Sequence, residues 1–532
     1  MDVLRRSRRA GSGVCEQPRA LGIAKERPLP EKDKYPGREG TARYAGNSRG
    51  HADRTYPHHI REPRRGDAPL PRPDRLYRTD WHSGFLPCAV AVGDAGIRRY
   101  FGRRCGMDPL FTLNLALVVV GGFVIITGLV SRQLRSWDIP VPLLAFLIGV
   151  LMGPAVFGLF RLPSGVDLPL VLEEAARLTL GIGLMGVAFR IPRGFFHRER
   201  RPLAALLGPG MLIMWLSTTI LVYVLLRFPF PVCLLIGAIV TPTDPLVASS
   251  IVTGHVARSN LPDRLRNLIS SESGANDGLA FLFVLLSVLI VQDVAPSALL
   301  DAMIYVVLWQ VGVAGLSGAL IGYGAGRLLL WAETRKTIER RSVLAYAIAL
   351  AFATLGALRL MDVDGIFGVF VAGIVFSAVL EAGAGKEQEA RAKEILEAVN
   401  YFLVVPMFVI FGIVVPWQDW LSFGWPAALL VVTILLFRRL PMLLSFRSLL
   451  WEENRVLNAL FMGWFGPIGV SAIFYAGFAA GRTGLATLWP LVSLVVAASI
   501  VVHGLTATPL TLLYGRRAER SHDEAGASPH HE

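Results

Sequence analysis

The chain has 532 residues, of which 53% are hydrophobic and only 17% charged, with a formal net charge of +13 at pH 7. A soluble protein of this length would need a larger charged surface. Long apolar runs read instead as helices of about 20 residues crossing a bilayer, which gives the class of an all-α polytopic membrane protein. The basic surplus is local: residues 1–106 hold 23 Lys/Arg against 12 Asp/Glu and the remainder 30 against 28, which excludes reading the whole chain as a nucleic-acid binder.

Residues 1–106 are rich in Arg, Pro and Gly and show no period of 2 or 3.6, so they are expected to be a disordered leader. No apolar core follows the basic "MDVLRRSRRA", which argues against a signal peptide; the 12 acids argue against a transit peptide. Cys15, Cys88 and Cys105 lie in the leader and Cys233 in an apolar run. Their spacing points to neither a metal site nor a disulfide framework.

From Phe111 the hydrophobic pattern predicts about 13 transmembrane helices, at 111–131, 139–160, 172–190, 203–226, 231–253, 266–292, 298–330, 342–360, 365–381, 395–415, 424–446, 456–480 and 487–513. The seventh is too long to stand upright and is expected to tilt or protrude. Loops after odd-numbered spans, with the tail, carry 22 Lys/Arg; loops after even-numbered spans carry only Arg161, Arg227 and Arg482. The odd loops and the tail, 516–532, are therefore expected in the cytoplasm and the N-terminus outside, in a multi-pass protein of the cell (inner) membrane. A basic leader would then have to cross the membrane, so a start at Met107, with its short acidic end "MDPLF", is the expected reading.

The fifth span contains "GAIVTPTDPLVASS", residues 237–250. Pro242 and Pro245 each remove an amide donor and break the helix, and the freed carbonyls could face a cation beside Asp244. A charge near mid-span costs roughly 3 kcal/mol on insertion scales and normally marks function; a plain proline kink with Asp244 snorkelling is the weaker alternative. The twelfth span is interrupted in the same way at "GWFGPIG", with Gly466, Pro467 and Gly469. Two broken helices seven spans apart, in opposite orientations, point to an inverted-repeat transporter with its site at the breaks.

The sixth span carries "SESGANDGLAF". Glu272 and Asn276, and Ser273 and Asp277, are each four apart, so they form two adjacent stripes of one helix face. Two carboxylates, an amide and a hydroxyl together offer oxygen ligands to a small hard cation. Glu272 alone also reads as an interface residue; Asp277 lies deeper. The eleventh span ends with Arg438 and Arg439. Neighbours on a helix face differently, so one is expected to point inward and pair with Glu272, unless both snorkel to the cytoplasmic side. Arg177 and Arg359 are also embedded, Arg177 at pairing distance from Glu173 and Glu174. His503 reads as a hydrogen-bonded packing residue; His197 and His255 lie in loops. The glycine-rich stretch 312–326 favours helix packing over phosphate binding.

TDP in one broken span followed by E-S-x-x-N-D in the next resembles the monovalent cation:proton antiporters of the NhaP/NHE (sodium/hydrogen exchanger) type, over residues of about 107–515. The resemblance implies an antiporter fold with two crossing broken helices, a core domain of spans 4–6 and 11–13, a dimerisation domain of spans 1–3 and 7–10, and a homodimer embedded in lipid. By the same resemblance Asp277 is the cation- and proton-binding carboxylate. Asn276 is its neighbour in the ND pair. Ser273, Asp244 and the Thr243 backbone are further ligands of the transported Na+, and Glu272 pairs with Arg438 or Arg439. One departure is Ile468, where animal-type relatives read G-x-R-G.

The implied mechanism is competition at one carboxylate that holds either a proton or a cation, without ATP or any other cofactor. With Asn276 neutral, exchange is expected to be electroneutral. Na+ is the expected ion, with Li+ or K+ as alternatives. Two rivals stay open. A symporter of small organic anions would present an unpaired cation; an intramembrane aspartyl protease would use Asp244 and Asp277 but lacks the G-x-G-D context.

Overall fold

The computed structural model describes residues 140–160, 168–337, 342–383, 402–453 and 455–526, with scattered positions between 114 and 129. The leader, Met107 and most of the 381–394 loop lie outside the described residues. Among the described residues every regular element is helical. Six helices are long and apolar enough to cross a membrane, and further apolar helices are shorter.

Proline starts several of these helices, where a missing amide donor costs nothing. Pro142 opens α1 (Val141–Met152), and Pro231 opens α4 (Phe230–Ile239). Between them lie α2 (Leu168–Ala188) and α3 (Arg200–Leu226). Within α3 the turn at Leu206–Gly210 widens to π geometry around Pro209, which absorbs the donor that proline lacks. After α4 the chain leaves helical geometry and resumes in short helices, α5 (Ser249–Thr253) and α6 (His255–Asn260). It then runs unbroken through α7 (Asp263–Val291).

The seventh expected span is α8 (Ser297–Thr334), 38 residues with a π stretch at Val306–Val313. At 1.5 Å per residue it is about 57 Å long, well beyond a hydrocarbon layer of about 30 Å. One of its faces presses its glycines against the helix α10 (Gly365–Gly383), which follows α9 (Ser342–Leu360). A Cβ on Gly318 or Gly322 would run into the backbone carbonyls of Gly368 and Ala372. The opposite face leaves Leu300, Leu308, Leu316, Leu320 and Leu328 more than half exposed. In water such a band would drive association; in a bilayer it is the ordinary surface of a spanning helix.

After α11 (Phe402–Ile413) the eleventh expected span is two helices, α12 (Gly424–Phe437) and α13 (Leu440–Leu450), separated by Arg438 and Arg439. The twelfth is also two, α14 (Arg455–Trp464) and α15 (Val470–Thr483). The last helix, α16 (Leu488–Gly526), continues through the first eleven residues of the expected tail, 516–526. Nothing between Tyr514 and Glu524 breaks it, and at Gly515 the Asn260 side chain fills the place a Cβ would take.

The α8–α10 contact is testable. Gly322→Ala should lower stability by roughly 1–3 kcal/mol, since two backbones must separate. Gly324→Ala, on a face with no atom within 4 Å, should leave it unchanged or raise it by up to about 1 kcal/mol. Thermal unfolding of the two variants in detergent checks this.

Candidate functional site

The breaks in the fifth and twelfth expected spans meet. The Asp244 N–H donates to the Pro467 carbonyl at 2.8 Å. Asp244 Oδ1 accepts the N–H groups of Leu246 (2.7 Å) and Val247 (3.3 Å), and Oδ2 accepts that of Val470. The aspartate therefore caps both the chain after its own break and the start of α15. It is fully buried.

Carbonyls left without donors at the breaks are taken by Arg438. Its Nη1 donates to Val240 O (2.5 Å), Thr241 O (2.9 Å) and Pro242 O (3.1 Å), and its Nη2 donates to Gly466 O. The cation these carbonyls face is thus a guanidinium belonging to the protein itself. Both arginines are buried, 3% and 2% exposed, which corrects the expectation that only one points inward. The 100° step between helix neighbours does not apply, because the helix ends at Phe437 and restarts at Leu440, with Arg439 at φ −120° in the gap.

Arg439, not Arg438, makes the ion pair. Its Nη1 and Nη2 donate to Glu272 Oε1 (3.0 Å) and Oε2 (2.8 Å), a two-pronged contact. Nη1 also donates to Thr243 Oγ1 at 3.2 Å, and Nε to Met462 O at 3.0 Å. Asn276 completes the network. Its Nδ2 donates to Glu272 Oε1 and to Thr243 Oγ1, each at 2.8 Å, and its Oδ1 accepts the Thr243 N–H at 3.1 Å. Ser273 Oγ lies 3.0 Å from Thr243 Oγ1. The Asn276 amide is therefore fully engaged in joining α7 to the first break. The Thr243 N–H is engaged with it.

Asp277 differs from all of these. It is fully buried, and neither carboxylate oxygen has a hydrogen-bond partner. The hydroxyls of Ser271 and Ser471, also buried, have none either. Ser471 is the hydroxyl close enough to turn toward Asp277, though outside ordinary hydrogen-bond geometry, and Asp244 and Glu272 are the charges that act on it. Its backbone carbonyl accepts the Tyr475 hydroxyl. Of the three carboxylates brought to the breaks, Glu272 is neutralised by Arg439 and Asp244 is held by three amides. Asp277 alone keeps both oxygens open. Among the described residues no three His, Cys, Asp or Glu side chains cluster as a resident metal site. A transported monovalent ion would be substrate and would draw on hydroxyl and carbonyl oxygens as well.

Several site contributors carried no sequence signal of their own. Ser471 and Tyr475 lie in the ordinary apolar pattern of α15, and only the fold brings them to Asp277. His503 Nε2 lies 2.9 Å from Trp464 O, and Ser499 Oγ accepts the Ile468 N–H at 2.7 Å. These residues of α16 thus cover the ends of the second break. Arg177 is held by Glu174 at 2.6 Å, and Arg359 approaches Glu173 at 3.8 Å. The Arg359 side chain is half exposed.

Breaking the Arg439–Glu272 pair from one side leaves a buried charge without its partner. Arg439→Met or Glu272→Met should each cost about 3–5 kcal/mol, and the double variant clearly less than their sum. Unfolding in detergent across the four proteins measures this coupling.

A family model described as sodium/hydrogen exchanger, transmembrane, matches residues 119–513. The Na(+)/H(+) antiporter 2 of Zygosaccharomyces rouxii is 30% identical over 432 residues, covering 75% of this chain and 53% of its own, so the chain spans about half the length of that relative. A Na(+)/H(+) antiporter of Schizosaccharomyces pombe is 28% identical over 428 residues, covering 75% of this chain and 90% of its own. Among solved structures, the sodium proton antiporter MjNhaP1 of Methanocaldococcus jannaschii superposes with a TM-score of 0.60 at 17% identity, over 76% of this chain and 100% of that one. The fold is that of the antiporter, and the match over residues 119–513 takes in both helix breaks and the acidic face of α7: this chain belongs to the sodium/hydrogen exchanger family.

Proposed function

We propose that the protein exchanges a monovalent cation for a proton across the membrane, with both substrates competing for Asp277. The observation that carries this reading is the carboxylate with two open oxygens at the meeting point of two broken helices, with the Ser471 hydroxyl near it. A proton on Asp277 removes the charge that would hold a cation; a bound cation removes the acceptor for a proton. The empty carboxylate is costly to bury, so the conformational change that switches access is favoured only when one guest is bound.

We take Na+ as the ion carried, with Li+ and K+ as comparison ions, because the two fungal relatives described above are Na(+)/H(+) antiporters. One open carboxylate and a neutral Asn276 support exchange of one cation for one proton, without net charge movement. In this reading Asp277 is the principal ligand. Asp244, Ser273 and Thr243 surround the ion, and Asn276 holds the acidic helix against the break. The working unit is a homodimer in the cell membrane, with the N-terminus outside and the C-terminus in the cytoplasm. Spans 4–6 and 11–13 move against spans 1–3 and 7–10.

Asp277→Asn should abolish cation-driven proton flux in reconstituted vesicles. It should hold or raise the unfolding temperature, since it removes a buried carboxylate that has no hydrogen-bond partner. Normal flux in this variant defeats the assignment. Competition also fixes a pH dependence. As pH falls below the value at which Asp277 is half protonated, the apparent KM for the cation should rise about tenfold per unit, while the rate at saturating cation holds. A KM that stays flat as the medium acidifies would place the two substrates on separate groups.

A further inference from the structure

A cavity of about 190 Å³ opens where the 361–364 turn meets α15, with Arg177, Arg359, Arg482, Asp362, Asp364 and Phe281 on its wall. Asp364 is 5% exposed. Its Oδ1 accepts the N–H groups of Ile366 (2.9 Å) and Phe367 (3.3 Å) and so caps α10. Its Oδ2 is buried and has no partner. Capping accounts for one oxygen only, and Asn or Ser would cap as well. The second oxygen and its charge need another explanation.

The arginines nearby do not provide one. Arg177 is bound to Glu174, and Arg359 faces Glu173. Arg482 lies over the Phe478 ring at 3.5 Å and donates to the Phe478 carbonyl. Among the described residues no ion pair reaches Asp364. The wall itself carries Asp362 and Asp364 against three guanidiniums, but Glu174 and Glu173, outside the wall, already face Arg177 and Arg359; that leaves two carboxylates against Arg482, a balance that favours a cation.

Phe281 on the cavity wall belongs to the same helix as Asp277. Phe281, one helical turn beyond it on α7, packs edge-on against Phe478 with ring centres 5.1 Å apart, and lies 6.4 Å from the ring of Tyr475. The Tyr475 hydroxyl binds the Asp277 backbone carbonyl, and the ring lies within electrostatic reach of both Asp277 and Asp364. The two aspartates with open oxygens thus both lie within reach of one aromatic layer.

We propose that Asp364 forms a second cation site, an antechamber that receives the transported monovalent ion before the Phe281–Tyr475–Phe478 layer opens toward Asp277. The proposal rests on the assignment of Asp277 as the exchange site. Burial pushes the Asp364 carboxyl up to about 7, with the two backbone N–H groups opposing this. The group would thus also accept a proton near neutral pH. The charged and titratable groups facing it are Asp362, Arg177, Arg359, Arg482, Tyr305 and Tyr475.

The test compares the two faces of the membrane. Wild type, Asp364→Asn and Asp364→Glu are expressed as the full chain, and Na+/H+ exchange is followed in right-side-out and everted vesicles. Asn preserves the Oδ1 cap and removes only the charge; Asp364→Ser is the substitute should Asn fail to fold. The expected result is a KM for Na+ raised about fivefold or more at the face carrying the 361–364 turn and unmoved at the other, with Glu restoring it. An unchanged KM, or an equal change at both faces, overturns the antechamber while an active wild type leaves the Asp277 reading in place. An inactive wild type overturns both.

Discussion

A backbone carbonyl without a donor costs several kcal/mol in hydrocarbon, and the two helix breaks create a cluster of them at one point. The guanidinium of Arg438 answers this demand by donating to Val240, Thr241, Pro242 and Gly466. One side chain thereby holds both breaks, which belong to segments more than 200 residues apart. It is buried there because the helix carrying it is itself broken at Arg438–Arg439. Three interruptions are mutually dependent: each by itself would leave unsatisfied groups, and together they satisfy one another. The fit leaves no room at the junction. A Cβ on Gly469 would overlap the Asp244 carboxylate, and one on Gly466 the Arg439 side chain.

The second arginine does different work. By binding Glu272 with both prongs it removes one of the three negative charges at the site, and through Thr243 and Asn276 it fixes α7 against the first break. Such a network is stabilising only when every member is satisfied. Here the arginine, the glutamate, the amide and the threonine each have partners at hydrogen-bond distance. The exception beside it, Asp277, is conspicuous for that reason. An unpartnered carboxylate in a satisfied surrounding calls for a functional explanation, and a proton or a cation as guest supplies one.

Much of this was legible along the chain. Apolar runs marked the spans, and paired Pro/Gly interruptions marked the two breaks. The four-residue spacings of Glu272 with Asn276 and of Ser273 with Asp277 marked the acidic face. These are local signals, written in neighbours. What stayed hidden was long-range: that Arg438 serves carbonyls while Arg439 serves Glu272, that Ser471 and Tyr475 approach Asp277, and that Asp364 ends beside the same aromatic layer. Helical spacing even misled at Arg438–Arg439, because a periodic argument assumes a continuous helix and the break there has no Gly, and its Pro441 falls two residues later. The length of α16 was missed for a related reason. Hydropathy ends where the bilayer ends, whereas helix propensity continues through "RRAERSHDEAG".

The charges at the breaks give the exchange reading its simplest energetic form. Asp244, Glu272 and Asp277 bring three negative charges, Arg438 and Arg439 two positive ones, so the empty site carries a net charge of −1. One proton or one monovalent cation brings it to zero, and the two loaded states are then equivalent in the term that dominates passage through a low dielectric. Ile468 bears directly on this. Its side chain is fully buried and its N–H is bound by Ser499, at the position where the animal-type pattern has an arginine. A third guanidinium there would neutralise the empty site and give the loaded one a charge. With Ile468 in place, the cationic cap at the breaks comes from the kink between α12 and α13, and the surplus charge rests on the one carboxylate whose oxygens are both unpaired.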